Sequence, residues 1–171
     1  MENEFTEKII ACIKEYNTKI AEISEANTDR IELNYKTITQ NGSTQTFNFL
    51  IDIKPRNGDL EIKLPYVDNK VNYDVFVDRI KQMLNNSTQI CGDITDLFKR
   101  LQTIGTLKEN SIIFDKKESV VYFISAINLK EEIKVLPPDC VKNILISNFE
   151  KIIKCVMIFK KEYDKRFYVN L

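Results

Sequence analysis

The sequence predicts an α+β fold. An antiparallel sheet, made of a three-strand meander plus a two-strand hairpin, packs with N-terminal, middle and long C-terminal helices. Three observations carry this expectation. From Pro137 to Lys165, apolar residues recur at Val141, Leu145, Phe149, Ile152, Val156, Phe159 and Tyr163, steps of three and four that trace one stripe on a helix. Between residues 31 and 64 the period drops to two, the mark of half-buried strands. No repeat, low-complexity tract or long linker interrupts the 171 residues, so residues 1–171 are expected to form one α+β domain.

In chain order, Phe5, Ile9, Ile13, Tyr16, Ile20 and Ile23 predict an amphipathic N-terminal helix of about six turns, ended by Ala26-Asn27-Thr28-Asp29. Ile31, Leu33 and Tyr35 alternate with Glu32 and Asn34 and predict the first strand. Asn41-Gly42-Ser43 signals a hairpin turn, and Phe47, Phe49, Ile51 and Ile53 form the second strand. Pro55-Arg56-Asn57-Gly58 is a second turn, followed by Leu60, Ile62 and Leu64 in the third strand, which Pro65 closes.

Asn72 is placed as the N-cap of a middle helix with Tyr73, Phe76, Val77, Ile80, Met83 and Leu84 on its apolar side. Asp93 is read as the cap of a further segment carrying Ile94, Leu97, Phe98 and Leu101, either a continuation across a kink or a second short helix. Ser111 to Phe114 and Val120 to Leu129 form the hairpin. The Val-Val-Tyr-Phe-Ile run of its second strand is apolar on both faces, as a central strand requires. Pro137 and Pro138 then stop the preceding segment and suit the first turn of the long helix.

Composition narrows the functional classes. Lys plus Arg and Asp plus Glu both number 25, so the chain lacks the basic excess of a typical nucleic-acid binder. No apolar run is long enough to cross a bilayer, and the start, Met-Glu-Asn-Glu-Phe, is polar and acidic where a signal peptide is basic and then apolar. A cytoplasmic location is the expectation. The cysteines Cys12, Cys91, Cys140 and Cys155 lack CxxC spacing and are expected to be small buried hydrophobes. The chain contains no His, which removes Ser-His-Asp and Cys-His couples and imidazole metal ligands.

The remaining constellations have structural explanations. Asn41-Gly42 and Asn57-Gly58 fit turns better than phosphate loops, because no GxGxxG or Walker pattern surrounds them. Glu61, Glu131 and Glu132 are the carboxylates available for acid–base work, with spacing indistinguishable from solvent-facing charges. Lys151, Lys154, Lys160, Lys161, Lys165 and Arg166 make the C-terminal part of the last helix basic, which suits the helix dipole and leaves a modest anion-docking face. No cofactor or metal site is expected.

The order helix, meander, helix, hairpin, long helix resembles the type III secretion chaperone-like superfamily, in particular its CesT-like and YbjN-like members. Three stretches carry the likeness: Phe47 to Leu64 with its central turn, Ile94 to Ile124, and Leu136-Pro-Pro-Asp-Cys-Val at the start of the last helix. The chain departs from that family in a longer stretch from Asn72 to Gly105 and in its neutral charge.

The resemblance implies binding rather than chemistry, with an extended partner segment or a second copy docked on strands and a helix. On that basis the chain is expected to be a non-enzymatic module for a protein partner or client, able to form a homodimer. Ile31, Leu33 and Tyr35 are the partner-binding candidates, provided their strand lies at the sheet edge. Two alternatives stay open: a small immunity-type protein that neutralises one target, and a His-free enzyme using carboxylate or lysine chemistry.

Overall fold

A computed structural model of the chain describes residues 2–15, 21–38, 41–85 and 112–168. Helix α1 (Glu2–Glu15) precedes strands β1 (Ala21–Ala26), β2 (Arg30–Ile38), β3 (Thr44–Lys54) and β4 (Asp59–Tyr66). Helix α2 (Tyr73–Asn85), strands β5 (Ile112–Asp115) and β6 (Val120–Asn128), the short helix α3 (Glu132–Val135) and the long helix α4 (Pro138–Phe167) follow. The strands form one open sheet in the order β1-β2-β3-β4-β6-β5, antiparallel wherever a register is defined. The α+β class, the meander, the later hairpin and the long C-terminal helix are all present. The expected segment from Asp93 to Gly105 lies outside the described residues.

The N-terminal helix differs from expectation. Helix α1 is described over Glu2–Glu15, and Ile23, read as part of its stripe, sits in β1 opposite Leu33. Steps of three and four among scattered isoleucines suit a helix locally. Ala21–Ala26 instead satisfies its backbone groups on the flank of β2, and that tertiary pairing overrides propensity. The meander therefore has four strands, and β2 lies inside the sheet.

The chain clusters into two compact units, Met1–Leu64 with Ser125–Glu150, and Pro65–Ile124 with Lys151–Leu171. In the first, alternation builds one buried face. Ile31 pairs with Ile51 and Ile51 with Ile62, while Leu33 pairs with Phe49 and Ile53 with Leu60; all are buried. The first turns of α4 cover part of this face through Val141, Leu145 and Phe149. The Phe149 ring lies 4.7 Å from that of Phe49 and 5.4 Å from that of Tyr35, centroid to centroid. Such pairs add about 0.5–1.5 kcal/mol each beyond area burial. The Tyr35 hydroxyl donates to Glu150 Oε1 at 3.2 Å, and burial together with the Glu150 charge pushes the phenol up to about 12. On the opposite face a charged ladder crosses the strands, with Asp52 bonded to Arg30 at 2.7 Å and to Lys63 at 2.6 Å.

Asn72 caps α2 as its sequence suggests, its Oδ1 accepting the Val75 N–H at 2.9 Å. The second unit has its own aromatic core. Tyr66 stands with ring centroids 5.5 Å from Phe76, 6.0 Å from Phe159 and 6.2 Å from Phe123. The whole stripe read on the last helix, Val141 through Tyr163, is buried. Cys12 and Cys155 are buried as expected, Cys91 lies outside the described residues, and Cys140 is exposed. It occupies the first turn of α4 one residue before the stripe begins at Val141, where the helix faces water.

Phe149→Ala removes the ring that joins α4 to the sheet in the first unit. We expect a loss of about 3–5 kcal/mol in urea unfolding; a loss below about 1 kcal/mol would show that this ring is not a core element.

Candidate functional site

The first unit builds a groove from three segments far apart in sequence: α1, the β3–β4 turn, and the corner between β6 and α3. It encloses about 420 Å³. Phe5, Pro55 and Ile133 supply its apolar surface. Lys8, Arg56, Lys130 and Lys134 bring four cationic side chains to the lining, against the single carboxylate of Glu4.

Each wall is held by identifiable contacts. On α1, the buried Thr6 hydroxyl donates to the carbonyl of Thr28 at 2.6 Å, tying the helix to the β1–β2 turn. Phe5 faces inward one residue before it, with Glu4 and Lys8 one turn apart and 3.3 Å from each other. At the β3–β4 turn, the Asn57 and Gly58 amides both donate to the Lys54 carbonyl, at 3.1 and 3.0 Å. Gly58 has φ +72°, the left-handed region that glycine enters without strain.

The third wall docks on that turn. The Leu129 amide donates to the Gly58 carbonyl at 2.9 Å. Asn128 Nδ2 donates to the Asn57 carbonyl and to Asp59 Oδ1, both at 2.7 Å, while its Oδ1 accepts the Lys130 amide at 3.0 Å. The approach is so close that a Cβ built on Gly58 would stand 2.5 Å from Lys130 Cβ and 2.6 Å from its Cα. Beyond it α3 is one turn long, and the Ile133 amide donates to the Leu129 carbonyl at 3.0 Å. Lys134 Nζ is 4.0 Å from Glu131, an exposed pair. Exposed pairs contribute at most about 1 kcal/mol, so such contacts exchange readily with those of a ligand.

The most perturbed titrating groups lie in the second unit. Asp68 accepts hydrogen bonds from the hydroxyls of Tyr163, at 2.5 Å, and Tyr168. Its other oxygen accepts the Lys70 amide at 2.9 Å. Arg79 is 3.6 Å from the same carboxylate and donates to Tyr168 at 3.0 Å, with its guanidinium over the rings of Phe167 and Tyr168. Burial works to raise Asp68, but the two phenols, the backbone amide and Arg79 outweigh it and hold the carboxyl below its usual range. Tyr163 is raised, by burial first and then by Asp68. Every strong group in this cluster faces another, so the arrangement fastens the last turn of α4 and presents no reactive atom.

The residues singled out in the sequence fall elsewhere. Ile31, Leu33 and Tyr35 are core, on a strand paired along both flanks, so the edge position their candidacy required is not theirs. Among the described residues β1 holds that edge, and it carries a bulge: Ile23 pairs with Leu33 while Glu25 pairs with Glu32, leaving Ser24 as the extra residue. Glu61 stands on β4 with Lys63 3.8 Å away, and Glu131 pairs with Lys134 at the other corner. The groove itself escaped the sequence reading because its cations come from residues 8, 56, 130 and 134. Its one visible signal was the run Leu129-Lys-Glu-Glu-Ile-Lys.

Among the described residues, no helix is long and apolar enough to cross a membrane, and no group of three or more Cys, Asp or Glu is placed to hold a metal ion. Neither family models, curated proteins nor solved structures contain a significant match to this chain.

Two outcomes test these assignments. Gly58→Ala forces a side chain into the Lys130 backbone at a positive φ, and should cost about 2 kcal/mol or more, read as a fall of several degrees in the thermal midpoint. An unchanged midpoint would show that the two walls are not pressed together. A carboxyl lowered by folding stabilises above its unfolded pKa, near 4, and that contribution fades as pH falls through the folded value. Asp68→Asn should therefore be less stable than wild type at pH 7, with the gap narrowing between pH 5 and 3 in urea titrations. A gap constant with pH would refute the charge-assisted role.

Proposed function

We propose that this chain is a non-enzymatic protein-binding module that holds a short acidic segment of a protein partner in the groove of its first unit. The observation that carries the proposal is the lining. Four cations and one carboxylate converge on an apolar surface in a chain whose overall charge is zero. Local cationic excess attracts carboxylates, and the apolar floor favours a peptide whose side chains can be buried. Nucleic acid is the poorer occupant, since Glu4 interrupts the lining and the chain has no basic excess to track a phosphate backbone.

The proposal keeps the partner-holding role suggested by the resemblance to secretion chaperones and changes its mode. Strand addition needs a regular edge, and the bulge at Ser24 interrupts the hydrogen-bonding row of β1. A groove rimmed by side chains needs no free edge. The setting we propose is the cytoplasm, where thiols such as Cys140 stay reduced.

Selection from a randomised decapeptide display library tests the proposal, with the Lys130→Glu/Lys134→Glu variant as counter-target. Both substituted side chains lie on exposed positions, and circular dichroism checks that the variant is folded. We expect peptides rich in Asp and Glu whose binding weakens at least tenfold on the variant and falls as salt rises. Retention of no peptide, or of peptides that bind both proteins equally, would overturn the proposal. So would a small dicarboxylate such as glutarate that binds as tightly as the best peptide.

A further inference from the structure

We infer that the outward face of α4 in the second unit is an interaction surface in its own right, and that it fits an acidic helix of a protein partner laid along it. The inference does not depend on the groove. Between Lys151 and Arg166 the chain carries six cations and two carboxylates, and helix geometry sorts them. Ile152, Val156, Phe159 and Tyr163 are buried, while Lys154, Met157, Lys161 and Lys165 follow steps of three and four on the opposite side, all exposed. Lys151 and Lys160, also exposed, flank that row. Glu162 and Asp164 are half-buried, so the outer surface is more basic than the sequence of the stretch.

Folding alone does not account for this row. The helix dipole favours cations only in the last turn, and Lys151 and Lys154 stand more than three turns before α4 ends at Phe167. Lysines three or four apart on a helix repel, as Lys151 does Lys154 and Lys161 does Lys165. Lys151, Lys154, Lys160 and Lys161 make no ion pair among the described residues that would offset this. A partner bearing carboxylates would supply the missing charge.

The shape of the row selects the kind of partner. It is one helix wide and, at 1.5 Å per residue, about 16 Å long from Lys154 to Lys165. A second helix repeats its side chains at the same three- and four-residue steps, so acids on one of its faces meet these lysines in register. Met157, 46% exposed within the row, gives the seam an adaptable apolar contact. An anionic membrane draws on a wider basic surface, and Glu150, exposed one turn before Lys154, works against it.

Fluorescence anisotropy with a labelled helical peptide tests the inference. Its glutamates recur at steps of three and four on one face, with a leucine among them to meet Met157. A scrambled peptide of the same composition carries its glutamates on every face. We expect the one-faced peptide to bind the full chain about fivefold more tightly than the scrambled one, and Lys154→Glu/Lys161→Glu to weaken it about tenfold. Lys130→Glu/Lys134→Glu, equal in net charge but in the groove, should stay within about twofold of wild type. A one-faced lysine peptide should bind the Lys154→Glu/Lys161→Glu variant better than wild type, which also shows that the variant is folded. Loss of binding on the groove variant would place the peptide in the groove and overturn the inference while leaving the acidic-segment reading intact. Equal binding of the one-faced and scrambled peptides, or binding of neither, would overturn it too. So would retention of wild type but not Lys154→Glu/Lys161→Glu by phosphatidylserine vesicles with no peptide bound, which would make the row a membrane contact.

Discussion

A missing Cβ sets the geometry on which the groove depends. Gly58 lets the backbone at Lys130 approach to a distance no other residue type would allow, and Asn128 fixes that approach with three hydrogen bonds to the neighbouring turn and its own chain. The Arg56 side of the groove is thereby registered against the Lys130–Lys134 side to within a hydrogen-bond length. The α1 side is set separately, by one buried hydroxyl on the Thr28 carbonyl. Three segments distant in sequence become one cationic lining through contacts in which the only side chains are Asn128, Asp59 and Thr6, together with one backbone hydrogen bond from Leu129 to Gly58.

The two charged clusters of the molecule show opposite uses of the same chemistry. Around Asp68 the charges are enclosed by rings and matched donor to acceptor, so their electrostatic energy goes into holding the end of α4. Around the groove the cations outnumber the anions and their internal pairs are long and solvated. A matched, partly buried cluster resists exchange with a ligand, since an incoming group would leave a desolvated partner uncompensated. A solvated one, whose ion pairs Glu4–Lys8 and Glu131–Lys134 are exposed, accepts ligands at little cost.

How much of this could be read in the sequence depends on the range over which each signal acts. The α4 stripe was fully legible, because a period of 3.6 over thirty residues has one interpretation and all seven stripe residues are buried. The alternation of β2, β3 and β4, the turn at Gly58 and the Asn72 cap were legible for the same local reason. The strand β1 was not: Ile20 and Ile23 continue a helical spacing from Ile13, and only the presence of β2 beside Ala21–Ala26 decides against it. That one misreading also left open an edge position for Ile31, Leu33 and Tyr35, the condition on which their candidacy depended, and β1 occupies it instead. Gly58 was identified as a turn glycine, but its second role against Lys130, seventy-two residues on, has no local signature. Cys140 shows the limit of a composition rule, since its exposure is set by helix phase and not by residue type.

The bulge at Ser24 has a consequence for the behaviour of the protein in concentrated solution. With 25 positive and 25 negative side chains and a pI near 6.4, copies of this chain repel one another very little near neutral pH. Colloidal repulsion, the usual guard against strands zipping together between molecules, is therefore weak. The irregular ladder of β1 supplies a geometric guard in its place, since a second copy laid along that edge would lose register at the extra residue after a few hydrogen bonds. Protection of the β1 edge thus rests on the shape of that strand more than on charge.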